Sequence, residues 1–334
     1  FREIKIMLQD YLIAYGYLLN QINRIITNYE IQNYQETKLL QKIKTINTYL
    51  ENIFKEKNIV IKATSDYPQL YGYDLEYLKT KYQELQEIGY QEDELQKMLI
   101  NLPILLCYSQ EKIKNKIQTF TSIGYSKENI LKMTIKMPQL YGYQEDKIIE
   151  RINYLQKLGY SIEDIIKMTT QYPQLYSLKE SRIADTIKLL LSFSLPLPIV
   201  LKMLKVSPQM IGYSSEKIQK NLQILNSMNY SKEKIMCIIT LYPSILGISS
   251  DSLLKHLEFY QVLNLEEIIF QNPRNLLQSI ELTYARLCYF KEHDIPISSR
   301  KLFMKKSEFA RIYQITTEDL LALYPYMPSN KKSK

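Results

Sequence analysis

The sequence predicts an all-α solenoid of about seven helix-pair repeats of 35 residues closed by helical caps, and three observations predict it. Prolines recur at Pro68, Pro103, Pro138, Pro173, Pro208 and Pro243, each 35 residues after the last. Their surroundings recur too: Tyr67-Pro68-Gln69-Leu70-Tyr71-Gly72-Tyr73 returns as Met137-Pro138-Gln139-Leu140-Tyr141-Gly142-Tyr143, and more loosely as Ser207-Pro208-Gln209-Met210-Ile211-Gly212-Tyr213. A second mark follows each proline by 21 residues, at Gly89, Gly124 and Gly159, with Ser194 and Asn229 in the same register. Pro273 lies only 30 residues beyond Pro243, which predicts a shortened seventh repeat.

Residues 1–60 carry two long amphipathic patterns without proline punctuation, one from Ile4 to Ile26 and one from Leu39 to Ile53. They predict a capping helical hairpin, or a connector to a further N-terminal domain.

The repeats occupy 61–280, and residues 125–159 show how one is built. Ser126 is positioned as the N-cap of a first helix, here called helix A, as are Ser161 and Ser231 in later repeats. Ile130, Met133, Thr134 and Met137 form its apolar face, and Pro138 ends it by disfavouring helical geometry in the preceding residue. Residues 139–143 fit one tight turn of 3₁₀ type. Helix B begins near Glu145, with Ile148, Ile152, Leu155 and Leu158 on one side, and stops at Gly159, a residue suited to a left-handed cap. Leu78, Ile113, Ile148, Ile183, Ile218 and Leu253 share one helix B register, and Tyr82, Ile117, Ile152, Ile187, Leu222 and Leu257 share another. A lone helix pair cannot bury such stripes, so neighbouring repeats must stack.

Residues 281–328 predict a C-terminal cap with helices around Tyr284–His293 and Lys301–Tyr313, and 329–334 predict a short disordered basic tail.

Composition narrows the function classes. Of 334 residues, 46% are hydrophobic, with no apolar run near the roughly 20 residues of a membrane span. Cys107, Cys237 and Cys288 are too scattered for a disulfide framework or a zinc site and are expected as buried, reduced thiols. His256 and His293 have no partner at metal-ligand spacing, and no glycine-rich phosphate loop or nucleophile motif occurs, so neither enzyme chemistry nor a cofactor is expected. The net charge of +8 favours a polyanionic partner.

The proline-to-proline units, from Pro138-Gln139-Leu140 through Leu158-Gly159-Tyr160-Ser161 and from Pro103-Ile104-Leu105 through Ile123-Gly124-Tyr125-Ser126, resemble repeats of the mitochondrial transcription termination factor (mTERF) family. The resemblance covers about residues 60–280. It implies a curved, right-handed superhelix of two helices plus a 3₁₀ turn per repeat that binds double-stranded DNA or structured RNA along a positive path. It also implies a role in transcription termination or regulation, in a mitochondrion or plastid, or in the cytoplasm of a bacterial relative.

Basic residues recur in three registers. Lys112, Lys147, Arg182 and Lys217 stand nine residues after the proline, and Lys81, Lys116 and Arg151 thirteen after it. Lys97, Lys132, Lys167 and Lys202 stand six before it. Stacking would line up each register, and evenly spaced cations suit a phosphate backbone. Helix A's lysines lie opposite the apolar face, where solubilising charge is usual. Acids such as Glu92, Glu128 and Glu163 stand close enough to neutralise neighbours. The tyrosines are expected inside, because Tyr71, Tyr141 and Tyr176 share a register with Leu106, Ile211 and Leu246. The expected partner of a monomer is therefore a duplex or structured nucleic acid. A protein-interaction scaffold and an RNA-binding ribosome assembly factor are the alternatives.

Overall fold

The computed structural model describes residues 6–28 and 35–327. Ile4 and the tail 329–334 lie outside the described residues. The chain forms two compact bodies, Phe1–Leu178 and Lys179–Lys334, each built from helices and 3₁₀ turns.

The N-terminal body opens with α1 (Ile6–Tyr15), α2 (Leu19–Ile26), α3 (Glu36–Phe54) and α4 (Lys57–Asp66), followed by a 3₁₀ turn at Pro68–Gly72. Then come α5 (Leu75–Ile88), α6 (Glu92–Asn101), a turn at Pro103–Cys107, α7 (Gln110–Ile123), α8 (Lys127–Lys136) and a turn at Pro138–Gly142. It closes with α9 (Glu145–Lys157), α10 (Ile162–Gln171) and a turn at Pro173–Tyr176.

The C-terminal body continues the order with α11 (Glu180–Ser192), α12 (Leu197–Val206), a turn at Pro208–Gly212, α13 (Ser215–Ser227), α14 (Lys232–Leu241) and a turn at Pro243–Gly247. After α15 (Ser250–Val262), α16 (Glu266–Gln271) and the turn Pro273–Leu277 come α17 (Ile280–Glu292), α18 (Ser299–Leu302), α19 (Lys306–Tyr313) and α20 (Thr317–Leu323). The architecture is the all-α helical repeat that the periodicity predicts.

Backbone chemistry sets the punctuation. Proline cannot donate an N–H, so it opens each 3₁₀ turn and ends the helix before it. The register 21 residues later is left-handed throughout, with φ of 111° at Gly124, 60° at Ser194, 57° at Asn229, 55° at Asn264 and 53° at Asp294. Glycine adopts this geometry at least cost, and Ser194 carries the strain of a side chain there. Ser194→Gly is accordingly expected to stabilise the C-terminal body by about 0.5–1 kcal/mol. A denaturation midpoint at or below that of the parent protein would contradict this.

Serine hydroxyls accept the first free N–H groups of helix A, as Ser126 does from Asn129, Ser161 from Asp164 and Ser231 from Lys234. Helix B is capped in the same manner by Ser109, Ser214, Ser249 and Ser279.

Like helices stack on like. α6 packs on α8 and α8 on α10 in the first body; α12 packs on α14 and α14 on α16 in the second. The helix B column from Leu78 to Leu253 is buried throughout. In the second column Ile152, Ile187, Leu222 and Leu257 are buried, while Tyr82 and Ile117 are half-buried against the core.

Three local expectations are revised. The first N-terminal pattern forms two helices, because left-handed Gly16 ends α1 while the apolar spacing carries on into α2. Residues 301–313 also divide, into α18 and α19, and α20 then packs on α17. The cysteines are half-buried and none is paired with another; the Cys237 thiol donates to the Phe270 carbonyl at 3.2 Å. The shortened repeat loses its residues from helix A: α16 has 6 residues where α14 has 10.

Buried tyrosines bolt neighbouring repeats together. The Tyr90 hydroxyl, at the entrance to α6, lies 2.5 Å from both Thr134 on α8 and Tyr141 in the next turn. Thr134 spends its own proton on the Ile130 carbonyl at 2.6 Å. Tyr90 therefore donates to Thr134, and Tyr141 donates to Tyr90. The set repeats as Tyr125, Thr169 and Tyr176, with Tyr17, Thr64 and Tyr71 forming a third in which Tyr71 gives its single proton to Asn47 instead of to Tyr17. In the second body the matching register holds buried Leu195, Ile239 and Leu246, an all-apolar solution.

Candidate nucleic-acid interface

The three basic registers have different fates, decided by which face of its helix each occupies. The position thirteen after the proline stands three residues beyond the first core column, so helical geometry turns it toward the protein. Lys81, Lys116 and Arg151 are accordingly buried. Arg151 donates through Nη2 to the Leu178 carbonyl, at the end of the next 3₁₀ turn. Later repeats do the same with other donors. Asn221 donates to the Leu246 and Ile248 carbonyls at 3.1 and 3.0 Å, His256 Nε2 meets the Gln278 carbonyl at 2.8 Å, and Arg286 donates to the Leu302 and Met304 carbonyls at 2.7 and 2.9 Å. A short 3₁₀ turn, or for Arg286 the end of the four-residue α18, leaves carbonyls without helical partners, and these side chains satisfy them. Lys81 is spent locally, on Glu84 at 2.7 Å and over the Tyr77 ring. Exposed phosphate-binding cations were expected here; the register chiefly joins one repeat to the next. Lys116 differs, having no hydrogen bond or ion pair.

The register nine after the proline lies in the first turn of helix B. Lys112 sits 3.7 Å above the Tyr108 ring and Lys217 5.8 Å above that of Tyr213, the same pairing in two repeats. Neither ammonium has a carboxylate partner. Lys147 pairs with Glu150 at 2.7 Å, both well exposed, which raises the Lys147 ammonium above its usual value through the hydrogen bond and then the charge of Glu150. An exposed pair of this kind stabilises little and opens readily. Arg182 is turned inward and donates through Nε to the Ile211 carbonyl at 3.0 Å and through Nη2 to that of Tyr213.

Helix A's lysines divide evenly. Lys97 pairs with Asp93 at 3.1 Å and Lys132 with Glu128 at 2.6 Å, one turn away on the same helix. The exposed Lys167 and Lys202 have no hydrogen bond or ion pair. With the exposed pairs counted alike, the first body presents Lys97, Lys112, Lys132, Lys147 and Lys167, and the second presents Lys202 and the half-buried Lys217.

Among the described residues no group of His, Cys, Asp and Glu is placed to hold a metal ion, and no helix is long and apolar enough to cross a membrane.

The sequence model described as mTERF matches residues 7–182 and 144–310, which together span most of the chain. No curated protein matches it. With the proline-opened 3₁₀ turns, the stacked helix pairs and this match in hand, the chain belongs to the mTERF family of nucleic-acid-binding helical-repeat proteins.

Proposed function

We propose that this protein is a monomeric, non-catalytic binder of duplex DNA or structured RNA, engaged through the first turns of its B helices. The observation that carries this reading is the pair Lys112 and Lys217. A cation in the first turn of a helix opposes the macrodipole at a cost of about 0.3–1 kcal/mol. Neither is paired with a carboxylate, so its charge is not neutralised by an ion pair within the chain. Each is held over a tyrosine face, which orients it and leaves its charge available to a phosphate. Transcription termination or regulation in a mitochondrion or plastid, or in the cytoplasm of a bacterial source, is the setting we propose from family membership.

Affinity for a duplex of about 20 base pairs and for a hairpin RNA, measured between 50 and 200 mM salt, tests the reading. A linear fall of log K with log salt is expected. The double variant Lys112→Glu/Lys217→Glu should bind roughly tenfold or more weakly with unchanged helical content. Affinity that is flat across that salt range, or absent for both nucleic acids, would leave a protein-interaction scaffold as the better reading.

A further inference from the structure

Between α7 and the beginning of α9 lies an open cavity of about 610 Å³. Ser109, Lys112, Asn115 and Lys116 of the α7 segment line one side, and residues 141–146, the end of the 3₁₀ turn and the first turn of α9, line the other. Lys116 is 5% exposed and lines this cavity, with no hydrogen-bond or ion-pair partner. Burial pulls its ammonium below the usual value; Glu145 opposes the shift and Lys112 adds to it. The partly desolvated ammonium reaches an open cavity with no hydrogen-bond acceptor of its own, and an anion there would supply one.

The opposite wall offers donors as well. Gln144, the N-cap of α9, makes no side-chain cap, so the first N–H groups of this 13-residue helix border the cavity without the hydroxyl that Ser109 supplies to α7. Amides and dipole together favour a negative group there. The carboxylates of Glu111, Glu145 and Asp146 also line the space, and Glu145 accepts a hydrogen bond from Thr119 at 2.6 Å. These acids repel a multiply charged phosphate more than a singly charged one. A phosphodiester, with one negative charge, fits the balance better than a free phosphate or nucleotide.

We propose that Lys116, Lys112 and the first-turn amides of α9 form a seat for one phosphodiester group of a bound nucleic acid. The proposal rests on the nucleic-acid-binding reading above and assigns one backbone phosphate to one place in it. Lys116 is the donor of its register that faces a cavity, where Arg151, Asn221, His256 and Arg286 meet carbonyls.

The test uses the full chain with Lys116→Met, which keeps the apolar stem, and Lys116→Arg, which keeps the charge. For a duplex of about 20 base pairs, Lys116→Met should lower affinity about tenfold and reduce the slope of log K against log salt by about 0.9, with Lys116→Arg restoring most of both. Its thermal midpoint should not fall, because a methionine there leaves no charge to bury. If the parent protein binds duplex and Lys116→Met binds it with the same affinity and slope, the seat is disproved while the wider reading stands. If the parent binds neither duplex nor hairpin RNA, dimethyl phosphate, a singly charged phosphodiester, followed through the amide resonances of Gln144, Glu145 and Asp146 decides. Shifts in the parent that vanish in Lys116→Met would retain a phosphodiester seat independent of a nucleic acid, and no shifts would overturn it.

Discussion

Replacing Tyr141 with alanine is expected to lower the unfolding free energy of the N-terminal body by about 3–5 kcal/mol, the largest effect of any single change considered. The side chain is fully buried, and its loss would open a cavity between adjacent repeats. Tyr141→Phe separates ring from hydroxyl. Tyr90 would still donate to Thr134 and lose one donor to itself, so a cost of about 1 kcal/mol is expected. Denaturant titration followed by circular dichroism measures both, and an alanine variant within about 1 kcal/mol of the parent would show that the tyrosine bolts do not hold the repeats.

Alkaline pH probes the same groups. Burial, first among the causes, raises the phenols of Tyr90, Tyr125, Tyr141 and Tyr176, and pushes Tyr49 up to about 12 with help from Tyr82 and Glu76. A phenol whose folded value exceeds the unfolded value of about 10 favours the folded state fully below pH 10. That contribution is lost as pH rises through the folded value. Stability should therefore hold to about pH 10 and decline above it, with phenolate absorbance appearing alongside loss of helix.

The second large effect is expected at Arg286. Its guanidinium serves the carbonyls of both Leu302 and Met304 and lies 4.4 Å from the centre of the Phe309 ring. Arg286→Met would orphan two carbonyls where α18 gives way to α19, at a cost of about 3 kcal/mol. Because α20 packs on α17, which carries Arg286, the loss should spread through the last three helices. Hydrogen exchange should speed up across residues 299–323 more than in α13 or α14, and Arg286→Lys should recover part of the difference. Unchanged exchange in α19 and α20 would refute the role.

The repeat was legible in the sequence because its punctuation is a backbone matter. Proline and left-handed positions have few substitutes, so Pro68 through Pro243 and Gly89 through Asn229 announce themselves one residue at a time. The roles of the cations were less legible. Arg151 and Arg182 look like surface charge beside Lys147 and Lys217, since their partners, the carbonyls of Leu178 and Tyr213, lie 27 and 31 residues further along. One signal was available. Lys81, Lys116, Arg151, Thr186, Asn221, His256 and Arg286 form a column that stays polar in all seven repeats, three residues after a core column and thus on the same face. Polar residues fixed on an apolar face point to an internal acceptor. The pairing of Lys97 with Asp93 and Lys132 with Glu128 was visible as spacing, whereas the tyrosine relays were not, because a Tyr–Thr–Tyr set and a Leu–Ile–Leu set are equally apolar at the level of pattern.

The shortened repeat shows which part of the module is elastic. From proline to left-handed residue the count stays at 21 even between Pro273 and Asp294, whereas from left-handed residue to the next proline it is 14 at Gly89 and 9 at Asn264. Turn and helix B behave as a ruler of constant length, and in most repeats a helix B side chain, such as Arg151, Arg182, Asn221 or His256, reaches the next turn's carbonyls. Helix A behaves as a spacer. Evolution or a protein engineer can therefore trim or extend the period in helix A while leaving the couplings between modules in phase.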